Sequence, residues 1–246
     1  MTTDTGFSVS PGDGAAAAGL SRRVLVTGAA GGMGRAICLA LAHDARRRGQ
    51  RLQLAAFGSR PAAALETLQA ELAALQADLR VVCVDLTEPQ ATAQAVQDAI
   101  AWAGGLDTLI SNAGQSRPGQ LATLDVAEWD RCFALNTRAT WTLAQAARPA
   151  LAAARGSLVA VASMSGLQAH PGYGAYSAAK AALIMLCRQL ALEWGDMGIR
   201  VNTVSPGMIR TPLTESVYRH ADVAARRESL VPVSYTHLRA HETPEH

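Results

Sequence analysis

A glycine-rich turn between a short apolar strand and a helix constrains this chain more than any other feature. Arg23-Val24-Leu25-Val26-Thr27 reads as a buried strand. Gly28-Ala29-Ala30-Gly31-Gly32-Met33-Gly34 follows as the turn, and residues 35–42 continue as a helix. Strand, glycine turn and helix in that order are the setting of a dinucleotide site. Glycine lets the backbone bend sharply and come close to a pyrophosphate. The free N–H groups and dipole of the helix start favour the anion. The spacing is Thr-Gly-x-x-x-Gly-x-Gly rather than Gly-x-Gly-x-x-Gly. A turn that binds nothing is the competing reading, and the strand–turn–helix order weighs against it.

The same alternation runs along the chain. Strand candidates at 51–57, 79–84, 107–111, 157–162 and 200–204 follow the first at 23–27. Helical stretches at 62–77, 89–103, 126–153 and 176–194 lie between them. The strands are short, apolar and rich in β-branched residues, as strands covered on both faces are. This alternation predicts an α/β fold with a doubly wound parallel sheet in three layers. A length of 246 residues with 49% hydrophobic content suits one such domain with a substantial core. Residues 1–20 are mostly Gly, Ala, Ser, Thr and Pro and read as a flexible N-terminal tail, so the folded domain is expected to span 21–232.

The net charge of +2 is too small to point to nucleic acid or a membrane surface. Arg46-Arg47-Arg48 with Gly49 reads as a helix end, where cations complement the dipole and glycine stops the helix. Cys38, Cys83, Cys132 and Cys187 show no C-x-x-C spacing, and each sits in an apolar stretch. They read as small core residues rather than zinc or redox ligands. No apolar run is long enough to span a bilayer, and the first residues lack the pattern of a secretory signal. A cytoplasmic location is the resulting expectation.

Tyr176-Ser177-Ala178-Ala179-Lys180 stands thirteen residues after Ser163, counted to its tyrosine. In a helix, a spacing of four puts the phenol and the ammonium on one face. A free phenol titrates near about 10 and is a weak acid or base at neutral pH. An adjacent cation lowers that value, and a tyrosine so tuned can exchange a proton with a carbonyl or alcohol oxygen. Ser163 can hydrogen-bond the same oxygen. Taken alone, the pair reads better as an amphipathic tyrosine and a solvated lysine. The glycine turn, which can hold a hydride carrier, gives it chemical meaning.

From about residue 22 to 232 the ordered motifs resemble those of the short-chain dehydrogenase/reductase family, most nearly its 3-oxoacyl-carrier-protein reductase type. Thr27-Gly28-x-x-x-Gly32-x-Gly34 is similar to the family's cofactor loop. Asn112-Ala113-Gly114 matches its Asn-Ala-Gly signature, with Ser111 in place of the more usual first Asn. The resemblance implies a Rossmann-type fold, a nicotinamide cofactor, a small-molecule carbonyl or alcohol substrate and a homo-oligomer, the homotetramer above all. It implies a catalytic set of Asn136, Ser163, Tyr176 and Lys180. Tyr176 would be the general acid in reduction and the general base in oxidation. Lys180 would lower its pKa and hold the nicotinamide ribose, and Ser163 would polarise the substrate oxygen. Asn136 would keep a water in a proton relay through Lys180. Cofactor contacts are implied for Gly28, Ala30, Gly32, Met33 and Gly34, for Asp85 and Leu86, and for Asn112, Ala113 and Gly114. They are implied also for Tyr176 and Lys180, and for Pro206, Gly207, Ile209 and Thr211. Asp85 is open to a turn or cap role, Asn136 to a buried polar role and Thr211 to a helix N-cap. Tyr173 has Ser177 rather than a cation four residues on and reads as pocket wall or packing.

The second strand ends Phe57-Gly58-Ser59-Arg60, with no acid to bind a ribose 2′-hydroxyl. Arg60 can pair with a 2′-phosphate, so NADP(H) is favoured over NAD(H). The alternative is that Arg60 only flanks the next helix. Residues 166–174 and 212–230 should line the substrate pocket. Arg219, His220, Arg226 and Arg227 suit either an acidic substrate group or a solvated helix face. Competing functions are an NAD-dependent sugar, steroid or other secondary-alcohol dehydrogenase, a non-catalytic binder, and an inactive C-terminally incomplete fragment. The fragment is weighed because residues 233–243 resemble a translated sequencing adapter. Residues 233–246 are therefore expected to be a non-native tail, and the domain to lack the family's usual last helix and strand. His237, His241 and His246 in that tail show no metal-ligand organisation.

Overall fold

The computed structural model describes residues 21–59, 63–207 and 209, with the backbone alone for 63 and 64. The expected tails at 1–20 and 233–246, the missing last helix and strand, the basic stretch 212–230, Arg60 and Thr211 lie outside them.

Among the described residues six strands form one sheet: β1 (Ser21–Thr27), β2 (Arg51–Gly58), β3 (Asp78–Cys83), β4 (Thr108–Ser111), β5 (Ser157–Val161) and β6 (Arg200–Val204). Their order is β3-β2-β1-β4-β5-β6, and every pairing is parallel. The helices are α1 (Gly32–Arg47), α2 (Ala63–Ala74), α3 (Pro89–Ala103), α4 (Val126–Phe133), α5 (Ala139–Ala153) and α6 (Tyr176–Trp194). This is the Rossmann-like α/β fold that the alternating pattern predicts.

Two apolar clusters sandwich the sheet. Val24 and Val26 pack on one face with Cys38 of α1, Leu54 of β2 and Leu68 and Leu72 of α2. Leu25 points to the other face, among Val96 of α3, Leu143 of α5 and Leu183 of α6. Successive strand residues face opposite ways, so a central strand covered on both sides must be apolar throughout. Each fully buried leucine contributes about 1.5–3 kcal/mol relative to exposure.

β1 lies between β2 and β4, with Val26 in register with Ala56 on one side and Ile110 on the other. The chain winds outward in both directions from that point. A crevice therefore opens where the turns after β1 and β4 diverge, the usual ligand position in such sheets. At the opposite end of the same strands, Arg23 forms a two-pronged ion pair with Asp107, Nη2 to Oδ1 at 2.6 Å and Nε to Oδ2 at 3.0 Å.

Helix ends follow local chemistry. Arg48 caps α1 and Gly49 adopts φ +64, which fits the predicted stop. The second helix ends at Ala74, earlier than the predicted 77, because Gln76 turns to φ +60. The single predicted helix over 126–153 is interrupted by a π-turn at Ala134–Arg138 between α4 and α5. The four cysteines are free, and only Cys38 and Cys187 are buried. Cys83 is exposed at the end of the edge strand β3 and Cys132 is half-buried, which corrects the expectation of four core cysteines.

Candidate active site

The glycine turn fills the crevice from the β1 side. Gly28 has φ +66, and its N–H donates to the Phe57 carbonyl at 2.8 Å, holding the turn against β2. A Cβ on Gly34 would collide with the Gly28 carbonyl oxygen, so the turn closes only around a bare Cα. Ala30, Gly31 and Gly32 are exposed and Met33 is half-buried. No side chain caps the start of α1, and its first turn holds no acid. A helix start of 16 residues left open in this way is a seat for an anion. The residues present thus fit a dinucleotide pyrophosphate.

From the β4 side, Asn112 closes the crevice floor. Its backbone N–H and that of Ala113 both donate to Thr27 Oγ1 at 3.0 Å, and its Nδ2 donates to the Thr27 carbonyl at 3.0 Å. The Asn112 Oδ1 is buried without a partner. Ser111, the departure from the family signature, is satisfied differently, with its hydroxyl 2.7 Å from that of Thr140 on α5. Thr27 appears in the sequence motif only as its first letter; its central place in this network was not legible there.

Asn136 sits in the π-turn, 2% exposed. A π-turn inside a helix rotates its residues out of the helical ladder and is frequent at functional sites. The Asn136 amide donates from Nδ2 to the carbonyls of Gln115 and Cys132, both at 3.0 Å, and its Oδ1 accepts from the Gln115 N–H at 3.2 Å. It therefore anchors the loop that follows Gly114. Beside it lies a cavity of about 30 Å³ lined by Gln115, Glu128, Cys132 and Asn136, enough for roughly one water molecule.

Ser163, Tyr176 and Lys180 come together on the β5 side. Ser163 precedes a 3-10 turn at Met164–Gly166, where its hydroxyl accepts from the Ser165 N–H at 3.1 Å. Tyr176 opens α6, and Lys180 stands one turn later, 3% exposed. The Lys180 ammonium lies 5.8 Å from the centroid of the Tyr176 ring. Burial pulls the lysine down to about 8. Burial also pushes the Tyr176 phenol above its ordinary value, and a hydrogen bond with Ser163 is the influence that opposes this. The expectation that Lys180 lowers the phenol is not met in this geometry: the phenol's own burial outweighs the Ser163 bond, and no lowering by Lys180 accompanies it. Tyr173 packs its ring 6.3 Å from that of Tyr176 and 5.4 Å from that of His170, consistent with a wall position.

A Cβ on Gly114 would lie 2.8 Å from Asn136 Oδ1 and 3.2 Å from Lys180 Nζ. The Asn-Ala-Gly turn, Asn136 and Lys180 thus meet at one point. The segment after β6 joins them: the Met164 N–H donates to the Pro206 carbonyl at 3.0 Å, and Gly207 lies against Met164. Ile209 is half-buried farther along. Asp85 is exposed, and its Oδ1 accepts from both the N–H and the hydroxyl of Thr87, at 2.9 and 2.8 Å. These bonds hold its carboxyl below the usual range and give it the turn role, with Oδ2 outside them. Leu86 is buried in the core. Among the described residues no cluster of three or more His, Cys, Asp or Glu is placed to hold a metal, and no helix is long and apolar enough to cross a membrane.

The arrangement can bind an anionic dinucleotide along the crevice and pass a proton between a phenol and a substrate oxygen. A family model described as short chain dehydrogenase matches residues 22–222. The chain is 34% identical over 205 residues to the oxidoreductase UcpA of Escherichia coli, covering 82% of this chain and 74% of UcpA. It is 37% identical over 160 residues to a Mycobacterium tuberculosis protein described as an uncharacterized NAD-dependent oxidoreductase, covering 63% of this chain and 58% of that one. A Beutenbergia cavernae structure with NADP bound at low occupancy superposes with a TM-score of 0.76 at 28% identity, over 86% of this chain and 82% of that one.

Proposed function

This chain belongs to the short-chain dehydrogenase family, and from that premise we propose that it is an NADP(H)-dependent oxidoreductase in which Tyr176 exchanges a proton with a carbonyl or secondary-alcohol oxygen. The family membership makes it an enzyme acting on a CH–OH/C=O pair with a nicotinamide dinucleotide. The observation that carries the finer reading is the convergence of Ser163, Tyr176 and Lys180, with Lys180 Nζ against Gly114, at the crevice where the sheet reverses its strand order.

The cofactor, when bound, supplies the hydride. The exposed turn at Ala30, Gly31 and Gly32 would hold its pyrophosphate, and Asn112, Ala113 and Gly114 would border it. Tyr176 gives its phenolic proton to the carbonyl oxygen in reduction and takes one back in oxidation. Ser163 donates a hydrogen bond to that oxygen and fixes its direction. Lys180 is held by its bond to the Val161 carbonyl at 2.9 Å and keeps a positive charge close to the phenol. Asn136, beside its water-sized cavity, suits a route for replacing the proton.

The preference for NADP(H) is supported by the end of β2, where Phe57-Gly58-Ser59 offers no carboxylate to repel a 2′-phosphate. Arg60 is the residue proposed to pair with that phosphate, and Thr211 to contact the nicotinamide end. The NAD-dependent Mycobacterium relative keeps NAD(H) as the second reading. A homo-oligomer is supported by Trp141, Met185 and Leu192, large apolar side chains exposed on α5 and α6. A cytoplasmic site of action belongs to the same proposal.

The test is a panel of 3-oxoacyl thioesters, β-keto esters, cyclic ketones and secondary alcohols, assayed with NADPH, NADH and their oxidised forms. Turnover of at least one carbonyl or alcohol is expected, faster with the phosphorylated cofactor. Arg60→Ala should shrink that preference, and an unchanged NADPH/NADH ratio would remove Arg60 from the assignment.

A further inference from the structure

Two segments close on the α6 backbone within one turn, and a third meets the end of the Lys180 side chain. The Thr137 hydroxyl, in the π-turn, donates to the Ala179 carbonyl at 2.8 Å. A Cβ on Gly166 would lie 2.8 and 2.9 Å from the carbonyl carbon and oxygen of Lys180, and 3.0 Å from the Ala181 nitrogen. These are main-chain atoms of a packed helix and cannot yield as a side chain does. At the far end of the lysine side chain, Gly114 abuts Nζ.

Each contact stands a short, fixed distance along the chain from a site residue. Thr137 follows Asn136 directly, Gly166 lies three residues after Ser163, and Ala179 precedes Lys180. The Thr137 bond is also surplus to helix formation. A carbonyl at position 179 inside α6 already serves the N–H four residues on. Threonine is an indifferent helix former whose hydroxyl ordinarily turns back on its own helix. Here it reaches across to another element instead.

Building on the proposed role of Tyr176, we propose that Thr137 is a positioning residue: its bond to the Ala179 carbonyl, with bare Gly166 as a second stop against the next peptide of α6, sets how far Asn136 and Ser163 stand from the Tyr176–Lys180 pair. The requirement is steep, since reacting atoms must meet at about 3–3.5 Å and an error of about 1 Å can cost about a hundredfold in rate.

The experiment compares Thr137→Val, which keeps the shape and loses the hydroxyl, with Thr137→Ser, which keeps the hydroxyl. Four quantities are read: kcat and KM for the carbonyl reduced fastest in the panel, NADPH Kd by fluorescence, the Tyr176 titration by ultraviolet difference against Tyr176→Phe, and Tm. Thr137→Val is expected to lose roughly ten- to a hundredfold in kcat. Its NADPH Kd should hold, and the Tyr176 titration should move down toward that of a free phenol as the packing loosens. Thr137→Ser should restore both. Equal behaviour of the two variants, or a parent-like Tyr176 titration in Thr137→Val, would overturn the proposal. If Thr137→Val does not fold, Thr137→Ala takes its place under the same criteria, and if no carbonyl is turned over the titration alone decides. An active Tyr176→Phe would sink the underlying reading of the site. A dead Tyr176→Phe beside a fully active Thr137→Val would sink only the positioning role.

Discussion

Lys180 donates a 2.9 Å hydrogen bond from Nζ to the carbonyl of Val161, the last residue of β5 and two residues ahead of Ser163. One bond thus ties α6 to the strand end that carries the serine, and it engages an ammonium that is 3% exposed.

That burial should appear in the pH dependence of stability. Folding pulls Lys180 from 10.5 down to about 8. Below about 8 both folded and unfolded states hold the proton, and the full cost of burying the charge is present. Between about 8 and 10.5 the unfolded chain binds more protons, so stability rises with pH. The unfolding free energy of the parent minus that of Lys180→Met should therefore climb by about 2–3 kcal/mol from neutral pH to the top of that window. Urea unfolding across this range measures it, and a flat difference would contradict it.

Tyr176 is pushed up rather than down, so its phenol keeps its proton at neutrality. Carbonyl reduction, which needs that proton, should be flat from about pH 6 to 7.5, below the value of about 8 at which Lys180 gives up its charge. Alcohol oxidation needs the phenolate and should gain about tenfold in kcat/KM per pH unit over the same range. Initial rates in both directions, in one buffer series, check the sign.

Gly114→Ala should damage chemistry more than folding. The added methyl meets Asn136 Oδ1 at 2.8 Å and Lys180 Nζ at 3.2 Å, and Asn136 is bonded at both ends of its amide. A loss of about a hundredfold in kcat is expected with a Tm within a few degrees of the parent, by the same geometric argument. Steady-state kinetics with a thermal scan test it.

Asp107→Asn is the converse case, remote from the site. Burial raises the Asp107 carboxyl, but the bonds from the Arg23 guanidinium and backbone N–H outweigh it and hold the group below 3.8. Its stabilisation is present above 3.8 and disappears as pH falls through the depressed value. The variant should lose about 1–3 kcal/mol at pH 7, converge with the parent in acid and keep its kcat. Denaturant curves at several pH values, with one rate assay, separate these outcomes.

The alternation of strands and helices and the residues that lie at the crevice were legible because both are local patterns. Glycine spacing reports where backbone must be bare, and a four-residue gap from Tyr176 to Lys180 reports a shared helix face. What was hidden depends on contacts between distant segments. No pattern in Leu135-Asn136-Thr137 announces a π-turn, because helix periodicity continues through it. Gly166 looks like any loop glycine until the Lys180 backbone is seen against it. The electrostatic expectation for Tyr176 failed for the same reason: spacing says that Lys180 is near, but not that both groups are desolvated together.

The most direct measurement is Tyr176→Phe, assayed for NADPH Kd by fluorescence and for kcat on the carbonyl reduced fastest by the parent. A proton donor at Tyr176 predicts a loss of about 10²–10⁴-fold in kcat, with Kd held to within about threefold, less than 1 kcal/mol of binding. Turnover close to that of the parent, with the cofactor bound equally well, would contradict the assignment of Tyr176 as the acid.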